Sequence, residues 1–288
     1  MTGATSEVPV RDGRTVTVYE AGDLAGAPVL FHHGTPSSGL PYEPHVRLAE
    51  EQGIRLVSYD RAGYGQSPRD RGRDVATVAR DVAAITAALG IDRLATWGLS
   101  GGGPHALACA ALLPDQIAAA CSVAGVAPHD AEGLDWLEGM GEANVHEFGA
   151  SLAGEETLRP VLEAEAARTT KELGAALGTL LSPPDLAVLE SGIGAYLISG
   201  FTAGLARGVD GWLDDDLAFS RPWGFEPAEI RTPVLVVQGR QDLMVPGAHG
   251  EWLAKRIPGA EAWFAEDEGH LTLFQPRSVR RIHKWLLE

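Results

Sequence analysis

The sequence contains few cysteines, few cationic side chains and no long apolar run. Two cysteines, Cys109 and Cys121, among 288 residues do not make the disulfide framework of a small secreted domain. No apolar run approaches the roughly 20 residues that a membrane-spanning helix needs. The 23 Lys and Arg against 39 Asp and Glu leave a net charge of −16. This balance argues against a nucleic-acid or anionic-membrane binder, because such proteins need clustered cations.

The rest of the composition is that of a globular protein. Hydrophobic residues make up 45% of the chain and charged residues 22%, which excludes a disordered or fibrous chain. A secretion signal has a cationic segment followed by an apolar one, and residues 1–14 do not contain this pattern. We therefore expect a cytoplasmic protein with reduced thiols.

Short apolar runs alternate with longer amphipathic runs along most of the chain. The first residues predict an antiparallel hairpin whose turn contains Asp12 and Gly13. Strands are then predicted over residues 28–32, 55–59, 93–99, 117–123, 234–238 and 261–265, with helices over 39–51, 75–89, 102–113, 249–257 and 277–287. This alternation is typical of a parallel sheet covered by helices on both faces.

The alternation stops between the fourth and fifth of these strands, where the sequence is acidic and predicted to be helical. Residues 130–226 contain 18 acidic and 5 basic side chains, so this segment carries −13 of the total charge of −16. Because the strand pattern resumes afterwards, we interpret the segment as an insertion. We predict a core of residues 1–126 and 228–288 and a helical cap of residues 127–227.

Two features of the cap carry specific expectations. The apolar residues 193–206 include Gly200 and Gly204, which predict a closely packed helix too short to span a bilayer. Asp214, Asp215 and Asp216 are expected in a solvated turn or helix start, where anions suit the helix dipole. An acidic cap mouth would favour neutral or cationic substrates over those that carry a carboxylate.

A candidate nucleophile lies between a predicted strand and a predicted helix. Residues 98–102 fit the pattern Gly-x-Ser-x-Gly, which is a weak signal alone and a stronger one in this context. A serine on such a sharp turn adopts a strained backbone conformation that raises its hydroxyl above the sheet. Ser100 is therefore the predicted nucleophile.

A serine hydroxyl needs a general base, and that base needs an orienting carboxylate. His270 and Asp242 each follow a predicted strand, at the sheet edge where ligands bind in parallel sheets. They are the predicted base and its partner, and Asp130 is the reserve acid. Other histidines, namely His105, His249 and His283, are expected on helices as packing or surface residues.

Two backbone N–H groups are predicted to bind the oxyanion that forms during acyl transfer. Gly101 follows the nucleophile, and Thr35 lies in the loop after the strand of residues 28–32, where Pro36 has no N–H to offer. The adjacent His32 and His33 suggest a metal site only weakly, because neighbouring strand residues point to opposite faces. We expect neither a metal nor another cofactor.

Together these motifs resemble the α/β-hydrolase fold family, in its esterase-like branch of capped serine hydrolases. The resemblance rests on residues 33–36, residues 60–67, Ser100, Asp242 and His270, which occur in the family's order. It implies a mostly parallel eight-stranded sheet with an N-terminal antiparallel hairpin, helices on both faces and an inserted helical cap. It also implies that the loop of Asp60 and Arg61 braces the sheet edge through an ion pair.

The same residues distinguish this chain from some branches of the family. Dehalogenases and epoxide hydrolases use an Asp as the nucleophile, where this chain has Ser100. Residues 33–36 and 98–102 also depart from the corresponding motifs of proline iminopeptidases.

We therefore expect hydrolysis of a carboxylic ester or lactone of a small neutral or cationic molecule. Alternatives are carbon–carbon bond hydrolysis or perhydrolysis with the same triad, and a non-catalytic small-molecule binding protein on the same fold. We expect the partner to be a small-molecule substrate, and we expect binding to neither nucleic acid nor a membrane. The protein is expected to be a monomer or homodimer. Candidate substrate-binding residues are His33, Trp136, Trp212, Trp223 and Phe225.

Overall fold

The structure is a computed structural model that describes residues 3–11, 13–169 and 177–288. Within these residues eight strands form one sheet: β1 (Ala4–Pro9), β2 (Thr15–Gly22), β3 (Ala27–His32), β4 (Ile54–Tyr59), β5 (Leu94–Leu99), β6 (Ile117–Val123), β7 (Val234–Gly239) and β8 (Glu261–Ala265). Their order is β1-β2-β4-β3-β5-β6-β7-β8. The pairs β1–β2 and β2–β4 are antiparallel, and all the others are parallel. The predicted fold class is confirmed.

The described helices fall into those that cover the sheet and those between β6 and β7. They are α1 (Glu43–Gln52), α2 (Val78–Leu89), α3 (Gly102–Leu112), α4 (Glu142–Ala153), α5 (Glu155–Thr169), α6 (Pro183–Leu189), α7 (Gly192–Gly204), α8 (Asp210–Phe219), α9 (Gly247–Arg256) and α10 (Pro276–Leu286). Short 3₁₀ helices span Pro227–Glu229 and Leu271–Phe274. Helices α4 to α8 occur in the segment predicted to be the cap.

Two apolar clusters cover the two faces of the sheet. In β4, Val57 belongs to one cluster and Leu56 to the other, and in β6 Ala120 and Cys121 divide in the same way. Successive strand residues point to opposite faces, so a strand in a sheet that is buried on both sides needs apolar residues at odd and at even positions. This explains the continuous apolar runs in the sequence. Cys109 and Cys121 are both buried free thiols.

Local sequence accounts for two helix starts that differ from the prediction. Helix α1 begins at Glu43 rather than at residue 39, with Pro44 in its first turn, a position that suits proline. Helix α2 begins at Val78 rather than at residue 75. Asp74 accepts the backbone N–H of Thr77 at 2.8 Å, and this side-chain turn precedes the helix. Asp12, predicted in the first hairpin turn, lies outside the described residues, while Gly13 has a φ of 83°.

The helices between β6 and β7 have apolar clusters of their own. One contains Leu158, Leu162 and Trp212, and another joins Val188 of α6 to Leu271, the neighbour of His270. Helix α7 fits closely against Ser37, because a Cβ on Gly204 would collide with the Ser37 carbonyl. Among the described helices none is by itself long and apolar enough to cross a membrane, although α6 and α7 would meet those criteria as a pair bent by 82°.

Candidate active site

Ser100 lies in the turn between β5 and α3. Its φ is 55°, in the left-handed region that residues other than glycine rarely adopt. A Cβ on Gly98 would collide with the carbonyl of Gly102, and a Cβ on Gly102 would collide with the carbonyl of His32. The Ser100 N–H donates to the Val123 carbonyl at 2.8 Å, which anchors the turn to β6. The two glycines therefore make room for the strained turn that carries the serine.

His270 and Asp242 form a hydrogen-bonded pair beyond the ends of β8 and β7. Nδ1 of His270 lies 2.7 Å from Oδ2 of Asp242. Oδ1 of Asp242 accepts the backbone N–H groups of Met244 and Val245, both at 2.8 Å, and Gln238 donates to Oδ2 at 3.2 Å. These bonds fix the orientation of the carboxylate. With Nδ1–H donated to Asp242, Nε2 of His270 is the nitrogen that can accept a proton.

Two opposing effects set the pKa of His270. Burial disfavours the imidazolium ion and lowers the pKa, whereas the charge and hydrogen bond of Asp242 and the charge of Asp185 raise it. The acidic neighbours outweigh the burial, so the pKa of His270 lies above the ordinary value of 6.5. Such a histidine is well matched to accepting and returning a proton near neutral pH.

Asp185 of α6, which the sequence did not single out, holds the backbone of the His270 loop. Its Oδ2 accepts the His270 N–H at 2.9 Å, and its Oδ1 accepts the N–H groups of Leu271 at 2.7 Å and Thr272 at 3.2 Å. Ser182 also donates to Oδ2 at 2.8 Å. The carboxylate caps the first turn of the 3₁₀ helix Leu271–Phe274, whose N–H groups have no partner inside that helix. A helix of the insertion thus supports the loop of the candidate base.

Thr35 and Gly101, the predicted oxyanion donors, lie side by side next to the nucleophile. A Cβ on Gly101 would collide with Oγ1 of Thr35, and a Cβ on Gly34 would lie 3.5 Å from the Cβ of Ser100. The loop after β3 therefore touches the turn of Ser100. This contact brings the two predicted backbone donors to the same corner of the site.

A buried cluster of charges ties this loop to α8. Oδ2 of Asp215 lies 2.6 Å from Nη2 of Arg61 and accepts the Thr35 hydroxyl at 2.6 Å. Oδ1 lies 2.6 Å from Nη2 of Arg73. The Tyr64 hydroxyl also donates to Asp215, at 2.8 Å. Burial acts to raise the pKa of Asp215, but the two guanidinium groups hold it well below its ordinary range.

The loop of Asp60 and Arg61 contains the expected ion pair, but the acidic partner comes from the insertion. Arg61 pairs with Asp215 and also donates to the His33 carbonyl. Asp60 instead accepts the N–H of Gly39 at 2.7 Å and the Tyr19 hydroxyl at 3.1 Å. The loop therefore contacts both the sheet edge and α8.

The prediction that Asp214, Asp215 and Asp216 are solvated is wrong, because all three are buried inside α8. Consecutive helix residues point about 100° apart, so each meets a different environment. Asp214 pairs with Arg69 at 2.8 Å, Asp215 joins the cluster described above, and Asp216 faces a cavity. Arginine partners distant in sequence made the burial of Asp214 and Asp215 possible.

Ser100 and His270 both line one cavity of about 130 Å³. Most of its wall is apolar and comes from the core and from the helices between β6 and β7, including Phe31, Leu197, Phe219 and Phe274. Thr35 and Gly101 line it as well. The candidate nucleophile, base and oxyanion donors thus share one small apolar space.

Of the candidate substrate-binding residues, only Trp212 is among the described residues that line this cavity. His33 is buried with Nδ1 bonded to the Gly34 carbonyl at 2.8 Å. Trp136 packs edge-on against Phe148 and His249. The remaining two, Trp223 and Phe225, line a separate depression.

The rival histidines are buried and bonded to other groups. Burial lowers the pKa of His105, His249 and His283 to about 4 in each case. His249 accepts the N–H of Ala127 at 3.1 Å. Asp130, the reserve acid, is exposed, and Asp242 is the carboxylate in contact with His270.

Two functional carboxylates that the sequence analysis did not single out differ in how visible they are in the sequence. A helix start with Ser182 followed by two prolines and Asp185 is typical of a capped first turn, so Asp185 could have been noticed. Glu147 of α4 lines the cavity, but a single Glu on a predicted helix of an acidic segment carries no local signal.

Comparison with known proteins gives the family. The sequence profile of the alpha/beta hydrolase fold matches residues 27–276. A non-heme chloroperoxidase from Streptomyces lividans is 34% identical over 148 residues, which are 51% of this chain and 54% of that protein. The chain therefore spans about half the length of that relative. A bifunctional esterase/perhydrolase from Acinetobacter calcoaceticus is 25% identical over 83% of each chain.

Solved structures show the same fold. An alpha/beta hydrolase fold protein from Nakamurella multipartita matches with a TM-score of 0.71 and 28% identity, over 99% of both chains. A bromoperoxidase from Bacillus anthracis matches with a TM-score of 0.75 over 99% of both chains, and at 20% identity this likeness shows the fold alone. Because the family profile covers most of the sequence, the chain belongs to the alpha/beta hydrolase fold family.

Proposed function

We propose that the chain is a serine hydrolase that cleaves a carboxylic ester or lactone of a small neutral or cationic molecule by acyl transfer through Ser100. The observation that carries the proposal is the convergence of Ser100, at a φ of 55°, and the His270–Asp242 pair, at 2.7 Å, on one apolar cavity. A nucleophile, a base and an orienting carboxylate are the parts that acyl transfer through serine needs.

The steps follow from the roles of these groups. His270 Nε2 takes the Ser100 proton as Oγ attacks the substrate carbonyl, and the N–H groups of Thr35 and Gly101 bind the resulting oxyanion. The tetrahedral intermediate collapses, the alcohol leaves with the proton from His270, and an acyl-serine remains. His270 then takes a proton from water, the hydroxide attacks the acyl carbon, and the acid and free Ser100 are released. Asp242 stabilises the imidazolium in both halves.

Two assays test the proposal. One is labelling with a fluorophosphonate probe, and the other is turnover of a panel of p-nitrophenyl esters and lactones of graded size. We expect Ser100→Ala to abolish labelling and to lower turnover at least about 10³-fold, because the nucleophile is removed. Ser199→Ala, which removes an exposed hydroxyl of α7, is the matched control and should retain both. Unchanged ester turnover in Ser100→Ala would exclude Ser100 as the nucleophile.

Perhydrolysis is the second candidate, because one relative is named an esterase/perhydrolase and another a non-heme chloroperoxidase. In that reaction hydrogen peroxide replaces water in the attack on the acyl-serine and a peracid is released. Peracid formed from an ester and hydrogen peroxide, and lost in Ser100→Ala, would support it. If the probe labels Ser100 but no ester is cleaved, carbon–carbon bond hydrolysis is the alternative. If the probe does not label Ser100 and no ester is cleaved, a non-catalytic binding protein is the better interpretation. A cytoplasmic location and a monomeric or homodimeric state remain predictions from the sequence.

A further inference from the structure

Two acidic side chains from different helices meet at the wall of the cavity that contains Ser100. Glu147 comes from α4 and Asp216 from α8, and both line the cavity. The Trp212 indole N–H donates to Oε1 of Glu147 at 2.8 Å, which orients that carboxyl group. Asp216 is buried, with 1% of its surface exposed. The pair therefore forms an acidic patch on a wall that is mostly apolar.

The carboxyl group of Asp216 is not satisfied by the protein. Neither of its oxygens accepts a hydrogen bond from an N–H or O–H group of the described residues. Its polar neighbour is Glu147, and two carboxylates can bond to each other only through a shared proton. A buried polar atom without a partner is costly, so a hydrogen-bond donor on a bound molecule would stabilise this carboxyl group from the cavity side.

The charges around the pair show what that group would have to be. Burial, together with Glu147, raises the pKa of Asp216 well above its ordinary range, and burial raises the pKa of Glu147 to about 7. Glu165 of α5 adds a further negative charge near Glu147, while Asp215 is already compensated by Arg61 and Arg73. The pair thus holds one proton and about one negative charge near neutral pH.

We propose that Glu147 and Asp216 bind a protonated amine of the substrate, within the cavity where Ser100 attacks its acyl group. This inference rests on the proposed function, because it assigns the amine to the ester or lactone that Ser100 cleaves. An ammonium group has three N–H donors and one positive charge, which match the acceptor oxygens and the single charge of the pair. Hydrogen bonds between charged groups in an apolar cavity are stronger than those between neutral groups.

Binding to an inactive variant tests the site without relying on turnover. Calorimetric titration of full-length Ser100→Ala with n-hexylamine and with 1-hexanol compares an ammonium and a hydroxyl on the same alkyl chain. At pH 8 the amine is protonated and Glu147, with a pKa of about 7, is mostly ionised. We expect the amine to bind about tenfold more tightly than the alcohol, or better.

Isosteric variants in the same Ser100→Ala background locate the effect. Glu147→Gln removes the ionised carboxylate with little change of shape and should reduce the preference for the amine to about twofold or less. Asp216→Asn replaces one acceptor oxygen of the pair by an amide N–H group and should also lower the preference. Glu156→Gln removes an equal charge from an exposed position of α5 and should retain the preference. Thermal unfolding of each variant verifies that it is folded.

Two results would overturn the inference. Equal affinity for the amine and the alcohol in Ser100→Ala would show that the pair only links α4 to α8, and this comparison needs no further variant to fold. A preference that survives in both Glu147→Gln and Asp216→Asn would assign it to the general acidity of the cap. A chain that binds hexylamine at this pair but cleaves no ester would contradict the proposed function while the amine site stands.

Discussion

At the scale of single residues, we expect the contact between His270 and Asp242 to determine the pH dependence of the proposed reaction. In the proposed mechanism His270 must be neutral to accept the Ser100 proton, and its pKa lies above 6.5 because Asp242 and Asp185 together outweigh the effect of burial. We therefore expect kcat/KM to rise with pH through an apparent pKa above 6.5. Asp242→Asn should move this limb to lower pH and reduce kcat by about 10⁴-fold, because the imidazolium loses its counter-charge. Measuring kcat/KM between pH 5 and 9 checks both.

Asp130→Asn is the matched control for that experiment, because Asp130 is the exposed reserve acid. It should leave the profile unchanged. A limb at or below pH 6.5 in the native chain would contradict the assigned pairing, and a limb that moves in Asp130→Asn would give the role to the reserve acid.

At the scale of secondary-structure elements, α6 determines the position of the loop that carries His270. Removing the Asp185 carboxylate leaves three buried backbone N–H groups, those of His270, Leu271 and Thr272, without their acceptor. We expect Asp185→Ala to lower the free energy of unfolding by about 1–3 kcal/mol. It should also reduce kcat more than it changes KM, because the base is displaced while the cavity wall remains. Urea unfolding and steady-state kinetics measure the two effects.

Ser182→Ala separates the effect of the Ser182–Asp185 hydrogen bond from that of the bonds between Asp185 and the backbone N–H groups. It removes the hydroxyl that bonds to Asp185 but keeps the three amide bonds, so the expected loss of stability is about 1 kcal/mol or less and kcat should stay near the native value. If Asp185→Ala matched the native chain in both stability and kcat, the loop would be held by other contacts.

At the scale of the whole molecule, a buried ion cluster joins α8, which lies between β6 and β7, to the segment between β4 and α2. Asp215 of α8 pairs with Arg61 and Arg73, and all three side chains are almost fully buried. Asp215→Ala would leave two guanidinium groups in a buried site without a counter-charge. We expect a loss of about 3–5 kcal/mol in the free energy of unfolding, measured by urea denaturation.

An exposed acidic residue of α5 provides the comparison for this change. Glu156→Gln alters the same kind of charge on the surface of α5, and its effect should stay within about 0.5 kcal/mol. An Asp215→Ala variant as stable as Glu156→Gln would mean that α8 is held in place mainly by apolar contacts.

Features that depend on residues close together in the sequence could be predicted, and the comparisons support the predicted fold and family. The strand and helix alternation led to the parallel sheet, and the motif around Ser100 led to the family, which the profile over residues 27–276 shows. The predicted starts of α1 and α2 were less accurate, because these starts depend on Pro44 and on the side chain of Asp74. Ester cleavage and the roles of the triad residues stay predictions.

The sequence by itself determined the order of elements and the loops that carry chemistry, because periodicity and turn chemistry act over a few residues. It also located most of the negative charge in the insertion. Only the tertiary structure decided which carboxylates are buried: Asp215 pairs with Arg61 and Asp185 caps the His270 loop, contacts between residues 154 and 85 positions apart. Packing of α6 and α8 against the loops of the sheet creates those environments, and no local pattern encodes a partner so distant in the chain.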